Sequence, residues 1–265
     1  MKNLFTCLSL LCLLSLGACA GTAEPYNETR DWTVEQLYEE SRSQMLANNY
    51  TSAIKYQEII QSRFPYGKYA QQALMDQAFT YYKDNEPEQA LATIDRFIKL
   101  YPAHDSLDYV FYLRGLVYFH ADDSPVLKWV KQDLSERDPK GSSNAFNAFN
   151  DVVKRFPNSQ YVADSNAKMT EISMAQGNYQ MHVARYYMKR EAWLAAANRA
   201  QTVIKEYANT NNNEEALAIM VAAYDRLEQA SLSADAQKIL DLNYPNGPYN
   251  SKKWNKENLA WWRLW

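Results

Sequence analysis

The sequence predicts an all-α chain, folded as a superhelical array of five helix pairs. Three observations carry that reading. Only 7 glycines occur in 265 residues, too few for an architecture of strands and tight turns. Ala, Leu, Lys, Glu and Gln, all good helix formers, are plentiful. Aromatic–proline pairs recur at 64–65, 101–102, 156–157 and 244–245, and a helix cannot continue through any of them.

The elements follow in order from a shared frame. Twelve residues before each of the first three of those prolines stands an alanine: Ala53, Ala90 and Ala145. Tyr207-Ala208 fits the frame with Ala196, and Tyr244-Pro245 fits it with Ser233. A second small residue is followed by a tyrosine three positions on in Ala78/Tyr81, Gly115/Tyr118 and Ala184/Tyr187. Ser41/Gln44 and Val221/Tyr224 keep the frame more loosely. Each period reads as two helices. The first carries a small residue where its partner crosses closely; the second sets an alanine or serine against it and ends at the aromatic. This resembles the tetratricopeptide repeat, five copies of it over residues 32–245.

Two places break the period. Between Gly115 and Ala145 lie 18 residues more than the 12 expected. The surplus, residues 120–142, carries Asp122, Asp123, Pro125, Trp129, Asp138 and Pro139, and reads as an inserted loop with a short helix around 126–131. Insertions in repeat arrays map to one face and often bind. Between Pro157 and Ala184 there are 27 residues against 13 elsewhere, with no proline in 159–193 and only Gly177. A helix several turns longer than its neighbours is expected there, ending at a turn near Arg190-Glu191 and at Trp193. The expected organisation is a leader (1–18), a linker (19–31), repeats 1–2 with the first helix of repeat 3 (32–119), the insertion (120–142), the rest of the array (143–250) and a tail (251–265).

The leader is an apolar run, residues 4–18, preceded by Lys2. Its 15 residues fall short of the roughly 20 needed to cross a bilayer. It reads as a secretory signal. Leu16-Gly17-Ala18-Cys19 resembles a bacterial lipobox, which implies that Cys19 is diacylated and heads the mature chain. Cys7 and Cys12 would leave with the leader, so no disulfide is expected. Ala20 stands where an aspartate would signal inner-membrane retention, which favours the outer membrane. Several acyl chains exceed the two lipid signals that stable anchoring requires.

Repeats of this kind stack into a superhelix with a concave face. Its lining positions in the first three repeats include Tyr38, Met45, Met75, Phe79, Tyr82, Tyr109, Tyr112 and Phe119, an aromatic and Met-rich groove. The last two repeats present a more polar face, including Arg185. The tail interleaves Lys252, Lys253, Lys256 and Arg263 with Trp254, Trp261, Trp262 and Trp265, a composition suited to a membrane interface or a partner groove. A formal charge of -3 gives no footprint for nucleic acid. His104, His120 and His182 form no short-spaced ligand set, and neither a phosphate loop nor a Gly-x-Ser-x-Gly elbow occurs. No enzyme, metal or cofactor is expected.

"RFPYGKYAQQAL", "ATIDRFIKLYPAHDSLDYVFYLRGL", "DPKGSSNAFNAFNDVVKRFPNSQY" and "YYMKREAWLAAANRAQTVI" together resemble the BamD (ComL/YfiO) family of outer-membrane assembly lipoproteins. The resemblance implies a periplasmic scaffold in the machine that folds β-barrels into the outer membrane. It implies contact with the POTRA region of the barrel subunit BamA through the C-terminal repeats, and in some lineages with BamC and BamE. It further implies that the N-terminal repeats receive the C-terminal signal of unfolded barrel substrates. Arg185, Arg190, Arg199 and Arg226 are then candidates to meet acidic groups of BamA, with Trp193 as a buried anchor. Two other readings stay open at this point: a periplasmic repeat adaptor for cell division or murein synthesis, and a hydrolase on a helical toroid.

Overall fold

A computed structural model describes residues 29–120 and 139–250. The leader, Cys19, the stretch at 126–131 and the tail lie outside the described residues. Ten α-helices form five antiparallel pairs among those described: α1 (Val34–Leu46) with α2 (Tyr50–Arg63), α3 (Lys68–Lys83) with α4 (Pro87–Leu100), α5 (Leu107–His120) with α6 (Pro139–Arg155), α7 (Val162–Lys189) with α8 (Trp193–Glu206), and α9 (Asn213–Arg226) with α10 (Ala230–Asn243). A 3₁₀ turn at Pro248–Asn250 follows. Each helix packs on its neighbours in sequence. First helices also touch across pairs, α1 with α3, α3 with α5, and α7 with α9. That nearest-neighbour pattern defines a solenoid.

Local chemistry explains the helix ends. Thr33 and Gln36 form a capping box at the start of α1, each side chain accepting from the other's backbone N–H at 3.3 and 2.9 Å. Pro87 opens α4 where its missing N–H costs nothing. Phe64, Tyr101, Tyr207 and Tyr244 are the residues at which second helices stop, and Phe156 follows the last residue of α6. The turns within four pairs repeat one geometry. Asn48, Asn85, Glu191 and Glu228 sit in the left-handed region, with φ between 57° and 61°. The next residue's N–H then reaches back to the carbonyl of Gln44, Tyr81, Tyr187 or Tyr224 at 2.9–3.0 Å. Those four acceptors are the third-position residues of the sequence frame.

The small residues lie where the frame requires. Ala53, Ala90, Ala145 and Ala196 are completely buried, as are Ser41 and Ala184. Gly115 is the extreme case. A Cβ there would meet the Phe149 ring at 2.5 Å, so α5 and α6 approach as closely as they do only because that atom is missing.

Two boundaries differ from the sequence reading. His120 is the last residue of α5 and Pro139 the first of α6, so the segment between these helices is shorter than 120–142. Proline is tolerated at a helix start, and here it begins the helix instead of belonging to the loop. Trp193 opens α8; it does not end α7. The long helix itself is as expected, with 28 residues, and it stops at Arg190. Among the described residues no helix is long and apolar enough to cross a membrane.

Candidate functional site

The first helices touch one another across pairs and so share one face of the array. Tyr38 on α1 donates its hydroxyl to Oδ2 of Asp76 on α3 at 3.1 Å, and its ring lies 5.4 Å from that of Tyr69. Gln72, one turn before Asp76, donates to Oδ1 at 2.7 Å. Further along α3, Phe79 and Tyr82 pack at 6.2 Å. The Tyr82 hydroxyl and His120 Nδ1 are 3.2 Å apart, which joins α3 to the end of α5. On α5, Tyr109 and Tyr112 flank Tyr161, which stands just before α7. Tyr112 stacks on it at 4.6 Å with 14° between the planes, and Tyr109 tilts against it at 5.8 Å. Tyr112 donates to Oδ2 of Asp164 at 2.7 Å. The result is a half-buried aromatic surface across three helix pairs, with a carboxylate toward each end.

Burial dominates the electrostatics. It pushes the Asp76 carboxyl above its ordinary pKa, against the opposing effects of the Gln72 and Tyr38 hydrogen bonds and of Arg42. Burial also pushes the phenol of Tyr38 up, followed by the charge of Asp76. Tyr109 is raised by burial and then by Asp76, and Tyr112 by burial and then by its bond to Asp164. All three phenols therefore stay protonated donors at neutral pH.

Not every expected groove residue faces outward. Met75 and Phe119 are buried, 7% and 9% exposed, within the packing of α3–α5 and α5–α6. Met45 turns its sulfur toward the amide of Gln57 on α2, 3.3 Å away. Met75 and Phe119 join the core, whereas Met45 is half-buried. Tyr38, Met45, Phe79, Tyr82, Tyr109 and Tyr112 are all half-buried. Spacing reasoning missed Asp76, although it lies one turn from Gln72 on the same face. It also missed Tyr161 and Asp164, which precede and open a helix whose repeat frame begins later.

The C-terminal candidates separate by what holds them. Arg185 on α7 makes a bidentate pair with Glu215 on α9 at 2.7 and 2.6 Å, and Glu215 is only 4% exposed. This bond holds the guanidinium above its ordinary pKa, so Arg185 works as an internal strut between helix pairs. Arg199 reaches Gln180 at 3.1 Å from an exposed position on α8. Arg190, at the end of α7, is exposed. Arg226 stands over the half-buried Trp193 ring, 5.6 Å from its centre. Arg190, Trp193, Arg199 and Arg226 thus lie in or near the α7–α10 region. Among the described residues no cluster of three or more His, Cys, Asp or Glu side chains is placed to hold a metal.

Comparison with known proteins adds the decisive observation. Residues 30–240 match the model of the YfiO family, described as outer membrane lipoprotein. The chain belongs to the YfiO family of outer membrane lipoproteins. Within that family it is 47% identical, over the full length of both chains, to the outer membrane protein assembly factor BamD of Neisseria meningitidis serogroup B. It is 36% identical to the BamD of Xylella fastidiosa strain 9a5c over 86% of this chain and 78% of that one. Against the BamD of Vibrio cholerae the identity is 32%, covering 87% and 96%. The family match spans α1 to α9 and reaches into α10, and so takes in the whole groove.

Proposed function

We propose that this chain is a lipid-anchored periplasmic scaffold of the β-barrel assembly machine of the outer membrane, and that it does no covalent chemistry itself. The observation that supports this most strongly is the full-length 47% match to a protein named as an outer membrane protein assembly factor. Cys19 carries the lipid, and the array hangs from the inner leaflet of the outer membrane. The aromatic face of α1, α3 and α5 holds an extended segment of an unfolded barrel substrate, its aromatic side chains seated among Phe79, Tyr82, Tyr109 and Tyr112. Each well-buried aromatic contributes roughly 1.5–3 kcal/mol before ordering costs, which leaves a weak and reversible complex.

The α7–α10 end binds the POTRA region of BamA, and BamC and BamE complete the assembly where present. Arg190, Arg199 and Arg226 meet acidic groups there, and Trp193 is the anchor. Arg185 is left out of that surface because Glu215 holds it. Co-purification from detergent-solubilised envelopes tests the assignment. Wild type brings down BamA, and Arg199→Glu together with Trp193→Ala lowers the yield while helicity is kept. Full retention of BamA by that double variant moves the interface elsewhere.

A further inference from the structure

Two tyrosine–aspartate pairs bracket the aromatic face. Tyr38 donates to Asp76 at one end and Tyr112 to Asp164 at the other. The ion pairs among the described residues use Asp95, Glu171 and Glu215, so neither groove carboxylate takes part in one. Arg42, one turn beyond Tyr38, eases the charge of Asp76 without reaching ion-pair distance. A half-buried carboxylate held by neutral donors alone is a costly arrangement for folding. The Tyr38 phenol and the Gln72 amide fix its two oxygens in place, and the charge of Asp76 is felt at Tyr109 on the next helix pair. Tyrosine faces carry negative potential, so carboxylate and rings favour the same kind of guest. A second aromatic gains nothing from Asp76, whereas an ammonium or guanidinium meets both a carboxylate and ring faces at reduced dielectric.

We propose that Asp76, held by Tyr38 and Gln72, is a subsite for a cationic side chain, a lysine or arginine of the bound segment. Asp164 is the weaker second subsite, since it is exposed. The inference rests on the reading that the groove holds a substrate segment, and it specifies that segment's chemistry as aromatic residues accompanied by a positive charge. The pairing of Asp76 with Tyr38 also ties α1 to α3, so a purely structural role is the competing account.

The test uses the acylated full-length protein in detergent micelles and labelled peptides ending in phenylalanine. One peptide position carries Lys, Gln or Glu in turn, and that position is moved along the sequence. At its best position, wild type binds the lysine peptide about fivefold to tenfold more tightly than the glutamine peptide. The glutamate peptide is weaker still, and the gap narrows as salt is raised. Asp76→Asn brings lysine and glutamine peptides within about twofold of each other. Equal binding of lysine and glutamine peptides by wild type at every position overturns the subsite. Retention in Asp76→Asn of the lysine preference at that same best position overturns it too. The peptide series on wild type decides the matter by itself if the variant misfolds. Lysine indifference combined with weaker binding on removal of the terminal aromatic defeats only the cation subsite. Indifference to both features defeats the substrate reading as well.

Discussion

Replacing Gly115 by alanine adds one methyl group at the crossing of α5 and α6. That Cβ would lie 2.5, 2.6 and 2.9 Å from Cε1, Cδ1 and Cζ of Phe149. The ring is completely buried and has little room to retreat, with Tyr112 at 6.0 Å and Phe119 at 6.3 Å between centroids. Overpacking of this kind costs about 1–3 kcal/mol, and better helix propensity returns up to about 1 kcal/mol, so a net loss of about 1–2 kcal/mol is expected. For a chain of this size the melting temperature should fall by about 2–8 °C. Gly177→Ala is the matched control. There a Cβ meets the Asn212 amide at 3.1 Å and the Thr210 hydroxyl and methyl at 3.3 and 3.4 Å, so the neighbours need give by only tenths of an ångström. Its propensity gain offsets the contact, and stability should stay within about 0.5 kcal/mol of wild type. Urea unfolding followed by helical circular dichroism measures both. A Gly115→Ala protein as stable as wild type would falsify the close-crossing account of the repeat frame.

Two further predictions address the anchor and the groove carboxylate. Cys19→Ser should leave an unprocessed, unacylated precursor in the inner-membrane fraction; a variant still acylated and recovered with outer membranes would remove Cys19 as the lipid site. Burial holds the Asp76 pKa above its unfolded value, so the folded chain binds that proton more tightly. Its favourable contribution is full below about pH 4 and is lost as pH rises through the folded pKa. Asp76→Asn should therefore gain stability relative to wild type between pH 4 and neutrality, as read by urea midpoints in parallel buffers. A constant difference across that range would show that the carboxylate carries no burial penalty.

Much of the architecture was legible because it is local. A proline after an aromatic ends a helix within a few residues, and a small residue marks a crossing with the adjacent helix. Four of the five pairs share turn geometry that follows from this spacing. Trp193 was misplaced because the left-handed Glu191 lets a new helix start two residues later, and no glycine advertises the turn. Groove lining was legible as a face but not as depth. Met75 and Phe119 share that face with Tyr82 and Tyr112, yet the neighbouring helices bury them. Contacts across long separations were not legible at all. Asp76 is held by a tyrosine 38 residues away, Asp164 by one 52 residues away, and Arg185 by a glutamate 30 residues away. Helical periodicity carries no information about such partners.

Photo-crosslinking in growing cells tests the central claim most directly. A photoreactive aromatic residue is placed at Tyr82 or Tyr109 in the groove, and at Lys99, exposed on α4, as the control. The account predicts adducts between both groove positions and newly made barrel proteins, few at Lys99, and loss of the groove adducts when the substrate lacks its terminal aromatic residue. Groove positions that capture no barrel protein, or capture it no better than Lys99, would contradict the claim that this face receives the substrate.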